Sequence, residues 1–267
     1  MFVAVLLTFG GIVARASRFR TAREGRASES FNDACPIKRT GPIEATLTST
    51  NSAGRKGTFY LPSDYASAPR PLLVALHGTG GSGQGMVNLF RDSAERRQFI
   101  VVAPDSRIAP NGQPSWEVPS HPGETTEDRA HIQHCVDEVL ALSGVRVDTS
   151  STLIVGHSGG GSTAPYEASV ESLYSAFAVL HGGAFVGGLG ARRPRGWFST
   201  GSGDGIRPPA MVRGAAEQIR RAGFDDVTYR DVPGGHEVGN EEVSAVVGWW
   251  LGPQMPRPRP TDVRDGG

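Results

Sequence analysis

A charge excess of either sign is missing from this chain. It carries 27 Lys and Arg against 27 Asp and Glu, for a formal net charge of zero. Binding to nucleic acid or to an anionic membrane draws on a basic footprint, so neither partner is expected. Cysteine is scarce: Cys35 and Cys135 are the only two. They permit at most one disulfide, which would tie the N-terminal arm to the body; two buried free thiols are the other account. Long apolar runs are missing too. The stretch at 2–14 is too short to span a bilayer comfortably. A hydrophobic content of 38% is enough for a real core and too low for a multi-span membrane protein. No internal repeat is visible, which leaves 267 residues for one α/β domain of ordinary size.

Glycine (36) and proline (19) are plentiful, as in a loop-rich chain with many tight turns. The apolar stretch at 2–14 is followed by Ala14-Arg15-Ala16, a small-x-small site. Residues 1–16 therefore read as a signal peptide, although no basic residue precedes the apolar run. A secreted or periplasmic location is expected, or a cytoplasmic one if that segment is not a leader. Residues 17–42 read as an arm or linker, 43–252 as the folded domain, and 253–267, with its alternating Pro and Arg, as an unpacked tail.

Within the domain, apolar runs and helical periodicities alternate. Strands are expected at 43–50 and 57–61, joined by a turn at 51–54, and then at 71–76, 99–103, 152–155, 175–180, 197–200 and 227–232. Helices are expected at 86–98, 125–143, from 162 onward, at 208–222 and at 241–251. Thr125 or Thr126 is placed to cap the second of these, with Ile132, Val136, Val139 and Leu140 on its inner face. Continuous apolar strands belong to sheets covered on both sides. The alternation predicts an α/β fold, a mainly parallel central sheet with helices on both faces. Sites in such folds lie at the carboxyl ends of the strands.

Candidate chemistry collects at that edge. Gly156-His157-Ser158-Gly159-Gly160 follows an apolar strand. G-x-S-x-G between strand and helix presents a serine on a strained turn, and any Cβ at Gly156 or Gly160 would crowd it. Ser158 is the candidate nucleophile for acyl transfer. A serine hydroxyl needs a base, and His236 follows the last strand on a Pro-Gly-Gly loop. The base needs an acid to orient it. Asp204 is the candidate; Asp225 and Asp226 lie at the wrong end of the sheet, and Asp231 lies within a strand. The oxyanion formed on attack needs preplaced donors, and the amides of Gly159 and Thr79 are expected to supply them, the latter from His77-Gly78-Thr79-Gly80-Gly81. His77 itself is read as loop structure. Trp116, His157 and His181 are candidates for lining the substrate pocket, with the ring of His157 pointing away from the Ser158 hydroxyl; Trp116 is as well accounted for by packing its loop down. His131-x-x-His134-Cys135 lacks a convincing fourth ligand, so no metal is assigned.

Taken together, these motifs, with Pro104-Asp105, Pro208-Pro209 and the order Ser158, Asp204, His236, resemble an α/β-hydrolase. The approach Val147-Asp148 to Thr152-Leu153-Ile154-Val155-Gly156 is similar to the branch of poly(3-hydroxybutyrate) depolymerase-like and feruloyl-esterase-like enzymes. The resemblance covers about residues 43–251. It departs from many of those enzymes in having two cysteines and no visible module for a solid polymer. It implies a cofactor-free, metal-free monomer acting on a small-molecule or oligomeric ester through an acyl-enzyme. A serine peptidase or amidase on the same fold, and a catalytically silent binding protein, stay open at this point.

Overall fold

The structure is a computed structural model that describes residues 41–47, 54–121, 124–183 and 188–252. The expected signal peptide, Cys35, residues 17–40 of the arm, most of the turn at 51–54 and the C-terminal tail lie outside the described residues.

Eight strands form one sheet in the order β1-β2-β4-β3-β5-β6-β7-β8. The hairpin partners β1 (Ile43–Thr46) and β2 (Gly57–Leu61) are antiparallel, and β2 is antiparallel to β4 (Ile100–Pro104). All other neighbours are parallel: β3 (Arg70–Leu76), β5 (Val147–His157), β6 (Ala176–Leu180), β7 (Arg195–Gly201) and β8 (Val227–Val232). The period-2 alternation of a strand divides each apolar run between two cores. Leu72, Val74, Ile154, Phe177 and Val179 face one side, packed by α2 (Glu127–Leu140), α3 (Gly159–Val170) and α4 (Pro209–Arg221). Leu73, Ala75, Leu153, Val155 and Ala178 face the other, packed by α1 (Gly83–Arg97) and α5 (Asn240–Leu251). Runs such as 72–76 are uninterrupted because both faces are dry.

Element boundaries differ from expectation where caps decide them. The α1 helix begins at Gly83, earlier than the apolar pattern starts, because Ser82 Oγ accepts the Gly85 amide. Thr126 caps α2 by accepting the Arg129 amide at 3.1 Å. Leu140, expected on the inner face of α2, is exposed at the last turn. The β5 strand is much longer than its apolar part, running through half-buried Asp148 and exposed Thr149 and Ser150 before it enters the core. Asp128, fully buried in the first turn of α2, pairs with Arg55 and accepts the Glu117 amide, which ties the long irregular loop after β4 to the body.

Phe177 in β6 shows how tightly the parallel sheet is filled. Its ring meets Phe198 and Phe224 edge-on at 5.9 and 5.8 Å, and Gly196 lies against it with no room for a Cβ. Phe177→Ala is expected to lower unfolding free energy by about 3–5 kcal/mol, as large-to-small changes in unyielding cores do. Urea titration followed by tryptophan fluorescence measures it.

Candidate active site

Ser158 stands between β5 and α3 with φ 50 and ψ −111, a conformation that a side-chain-bearing residue rarely takes. The neighbours make the turn fit. A Cβ on Gly156 would collide with the Gly160 carbonyl group, and one on Gly160 with the carbonyls of Leu76 and His77. The Ser158 amide donates to Leu180 O at 2.9 Å, so the adjacent strand holds the turn from below. The helix begins at Gly159, three residues earlier than the sequence pattern indicated, because the elbow passes directly into α3.

The loops after β7 and β8 are fastened together. The amides of Ser202 and Gly203 donate to Val232 O and Gly234 O at 2.8 and 2.9 Å. This brings Asp204 beneath His236. His236 Nδ1 donates to Asp204 Oδ2 at 2.8 Å, and its Nε2 lies 3.0 Å from Ser158 Oγ. The carboxylate can only accept, so the proton sits on Nδ1 and Nε2 is left to accept from the hydroxyl. The other Asp204 oxygen accepts the amides of Ile206 (2.8 Å) and Arg207 (2.7 Å). Asp204 is 3% exposed. Burial alone would raise its pKa, yet the Arg207 amide, His236, His181 and the Ile206 amide hold its carboxyl well below the usual carboxylate range. Asp231, by contrast, is a surface partner of Arg213 at 3.0 Å, and Asp225 and Asp226 precede β8 at the opposite end of the sheet.

The loop at 77–81 sits over the turn from the other side. A Cβ on Gly159 would lie 3.1 Å from Thr79 Oγ1 and 3.6 Å from Thr79 N, so both proposed donors border one small space. Among the described residues the Thr79 amide meets no acceptor. His77 is a buttress within that loop. Its Nε2 accepts the Ser106 amide at 3.0 Å, which leaves the proton on Nδ1 to donate to Gly78 O at 2.7 Å. Burial pushes its pKa down, in keeping with this neutral form.

The three pocket candidates part ways. Trp116 does not line the cleft: it is 5% exposed, its Nε1 donates to His77 O at 2.7 Å, and its ring tilts against His77. It secures the loop at 77–81. His181 is not a pocket wall either. It is completely buried, 2.9 Å from Asp204 Oδ2 and 3.0 Å from Glu242 Oε2. His157 does border the cleft, and its Nε2 also donates to the His236 carbonyl at 2.9 Å, clasping the loop after β8. Burial lowers the pKa of His157, consistent with a neutral donor. Glu242 was missed by sequence reasoning. An acid in the first turn of a helix reads as a dipole partner in solvent, and nothing local shows that this one turns inward.

A cleft of about 300 Å³ opens between loop 78–81 and His157, Ser158 and His236. A second volume of about 300 Å³ adjoins it through Gly78, Gly81 and His157, with Met86, Leu89 and Val238 as an apolar wall and Glu237 beside it. His181, Asp204 and His236 present ligand-type atoms within 4.8 Å of one another. Those atoms already bond each other, which uses the lone pairs a cation would need. Cys135 is a buried free thiol facing His131, with its pKa pushed up to about 12 by burial and the nearby Glu138 and Asp105 carboxylates. His134 points to the exposed side of the same helix, so the His131-x-x-His134-Cys135 run does not converge.

No protein-family model matches the chain, and no curated protein matches it. Solved structures do resemble it. S-formylglutathione hydrolase FrmB of Staphylococcus aureus superposes with a TM-score of 0.62 at 13% identity, over 79% of this chain and 100% of that one. FphF of Staphylococcus aureus, a fluorophosphonate-binding serine hydrolase, gives 0.61 at 12% identity over 79% and 99%. A ferulic acid esterase gives 0.59 at 16% identity over 79% and 97%. The chain has the α/β-hydrolase fold. Among the described residues, no helix is long and apolar enough to cross a membrane.

The depressed pKa of Asp204 gives a stability signature. A carboxyl whose folded pKa lies below its unfolded value stabilises the fold above the unfolded pKa, near 4. That contribution is lost as pH falls toward the folded value. Unfolding free energy of the wild type should therefore drop more steeply below pH about 4 than that of Asp204→Asn, as denaturant titrations at stepped pH would show.

Proposed function

We propose that this chain is a serine hydrolase of carboxylic esters that works through an acyl-enzyme on Ser158. The observation that carries the reading is the unbroken hydrogen-bonded line from Ser158 Oγ through His236 to Asp204, at 3.0 and 2.8 Å, opening on a cleft. In this reading His236 Nε2 takes the hydroxyl proton as Oγ attacks the ester carbon. Asp204 holds the ring by Nδ1 and stabilises the imidazolium that forms. The amides of Thr79 and Gly159 receive the developing oxyanion. His236 then returns its proton to the leaving alcohol, and the same steps with water release the acid.

The apolar wall of Met86, Leu89 and Val238 beside Gly78 supports an acyl group with a hydrocarbon or aromatic face. Hydroxyalkanoate and feruloyl-type esters are the substrate classes that suit it, and the solved neighbours, which include a ferulic acid esterase, agree with ester chemistry on this fold. The small scale of the cleft favours a soluble or oligomeric ester over a polymer surface.

The decisive experiment pairs a panel of p-nitrophenyl and feruloyl esters with matched aminoacyl amides, run on the wild type and on Ser158→Ala. The wild type is expected to cleave esters and spare amides, and Ser158→Ala to lose about 10⁴-fold or more in kcat while keeping its unfolding midpoint. A fluorophosphonate probe should label Ser158 alone, as read by peptide mass spectrometry. Labelling elsewhere, or amide turnover exceeding ester turnover, would overturn the assignment.

A further inference from the structure

The hydrolytic line uses one partner of Asp204, and a second histidine occupies the same carboxylate oxygen. His181 Nδ1 lies 2.9 Å from Asp204 Oδ2, the oxygen that His236 Nδ1 reaches at 2.8 Å. On the far side, His181 Nε2 lies 3.0 Å from Glu242 Oε2. The imidazole is completely buried and Glu242 is 2% exposed. Glu242 is the third residue of α5, where the helix dipole favours a negative charge. Its other oxygen, Oε1, is buried and meets no hydrogen-bond partner among the described residues, so His181 is the group that compensates it.

His181 Nδ1 also lies 3.3 Å from the Gly201 amide, but the Asp204 carboxylate is nearer, and since an ionised carboxylate only accepts, the ring donates to a carboxylate from each nitrogen. The groups facing His181 are Asp204 from the loop after β7, Glu242 from α5, His157 from the end of β5, and His236 and Glu237 from the loop after β8. Burial alone would lower the pKa of His181, but Glu242 first and Asp204 second outweigh it and hold it above its ordinary value. The backbone there has φ 52, the left-handed region, so the ring is aimed by a turn the sequence does not adopt freely.

We propose that His181, kept cationic by Glu242, is a positioning residue for the Ser158–His236–Asp204 line: it pins the Asp204 carboxylate and offsets part of the negative charge that His236 faces. The two imidazole centroids are 5.6 Å apart, close enough for one charge to bear on the other. A positive His181 ring this close opposes a second positive charge on the His236 ring. The site identity rests on the ester reading; the charge state of His181 does not.

His181→Asn tests the charge apart from the hydrogen bond. Asparagine tolerates a positive φ better than most residues, and its amide nitrogen can still donate toward Asp204. The acid limb of kcat/KM on p-nitrophenyl acetate is expected to move up by about one pH unit. A residue that merely filled space would lower kcat/KM at every pH and leave the limb where it was; an unmoved or downward-shifted limb overturns the proposal. If His181→Asn does not fold, Glu242→Gln takes its place in the same assay with the same expected direction. Ring ¹⁵N shifts of the wild-type protein give a readout that needs no substrate. His181 is expected to be doubly protonated at pH 7, and a singly protonated ring there overturns the proposal whether or not esters turn out to be the substrate.

Discussion

Everything at the active edge depends on one close approach of backbones. The turn that carries Ser158 folds back so tightly that the carbonyls of Leu76 and His77 lie where a side chain on Gly160 would begin. Holding a serine at φ 50 and ψ −111 costs on the order of 1–3 kcal/mol. The surrounding sheet has to over-determine that conformation, and it does. Parallel pairing of β5 with β3 and β6 clamps the strand on both edges, and two separate cores clamp it on both faces. The strain is tolerated because the turn has nowhere else to go.

From that fixed point the polar groups are placed by loops that brace one another. Trp116 and Ser106 hold the loop of Thr79 through His77, His157 holds the backbone of His236, and the amides of Ser202 and Gly203 join the loop after β7 to the loop after β8. Four histidines around Ser158 thus differ in state, set by what their nitrogens face. His77 and His157 face backbone carbonyls and stay neutral, while His236 links a hydroxyl to a carboxylate. His181 differs again, because carboxylates meet both of its nitrogens. Asp204 is the centre of this arrangement, since its two oxygens gather two imidazoles and two amides into a volume that excludes water.

Local chemistry made a large part of this legible. Apolar runs with no polar interruption announced strands buried on both faces, and the G-x-S-x-G turn needs its glycines wherever it occurs. That Ser158, Asp204 and His236 would meet was legible because each follows a strand, and a parallel sheet brings such positions to one edge. His181 went the other way, and for Trp116 the structure chose packing over the pocket. Each lies near the edge in sequence terms, and each turned out to be interior, because a side chain's direction depends on which neighbour has an unmet hydrogen bond.

By itself, then, the sequence determined the layering, the strand ends that carry Ser158, Asp204 and His236, and the glycines that let the turn form, since all of these follow from periodicity and steric size within a few residues. Only the tertiary structure decided that Glu242 turns inward, that His181 shares the carboxylate of His236, and that Trp116 braces a loop. Those outcomes arise from pairings between residues 23 to 61 positions apart, and no local pattern can specify which buried donor will meet which buried acceptor.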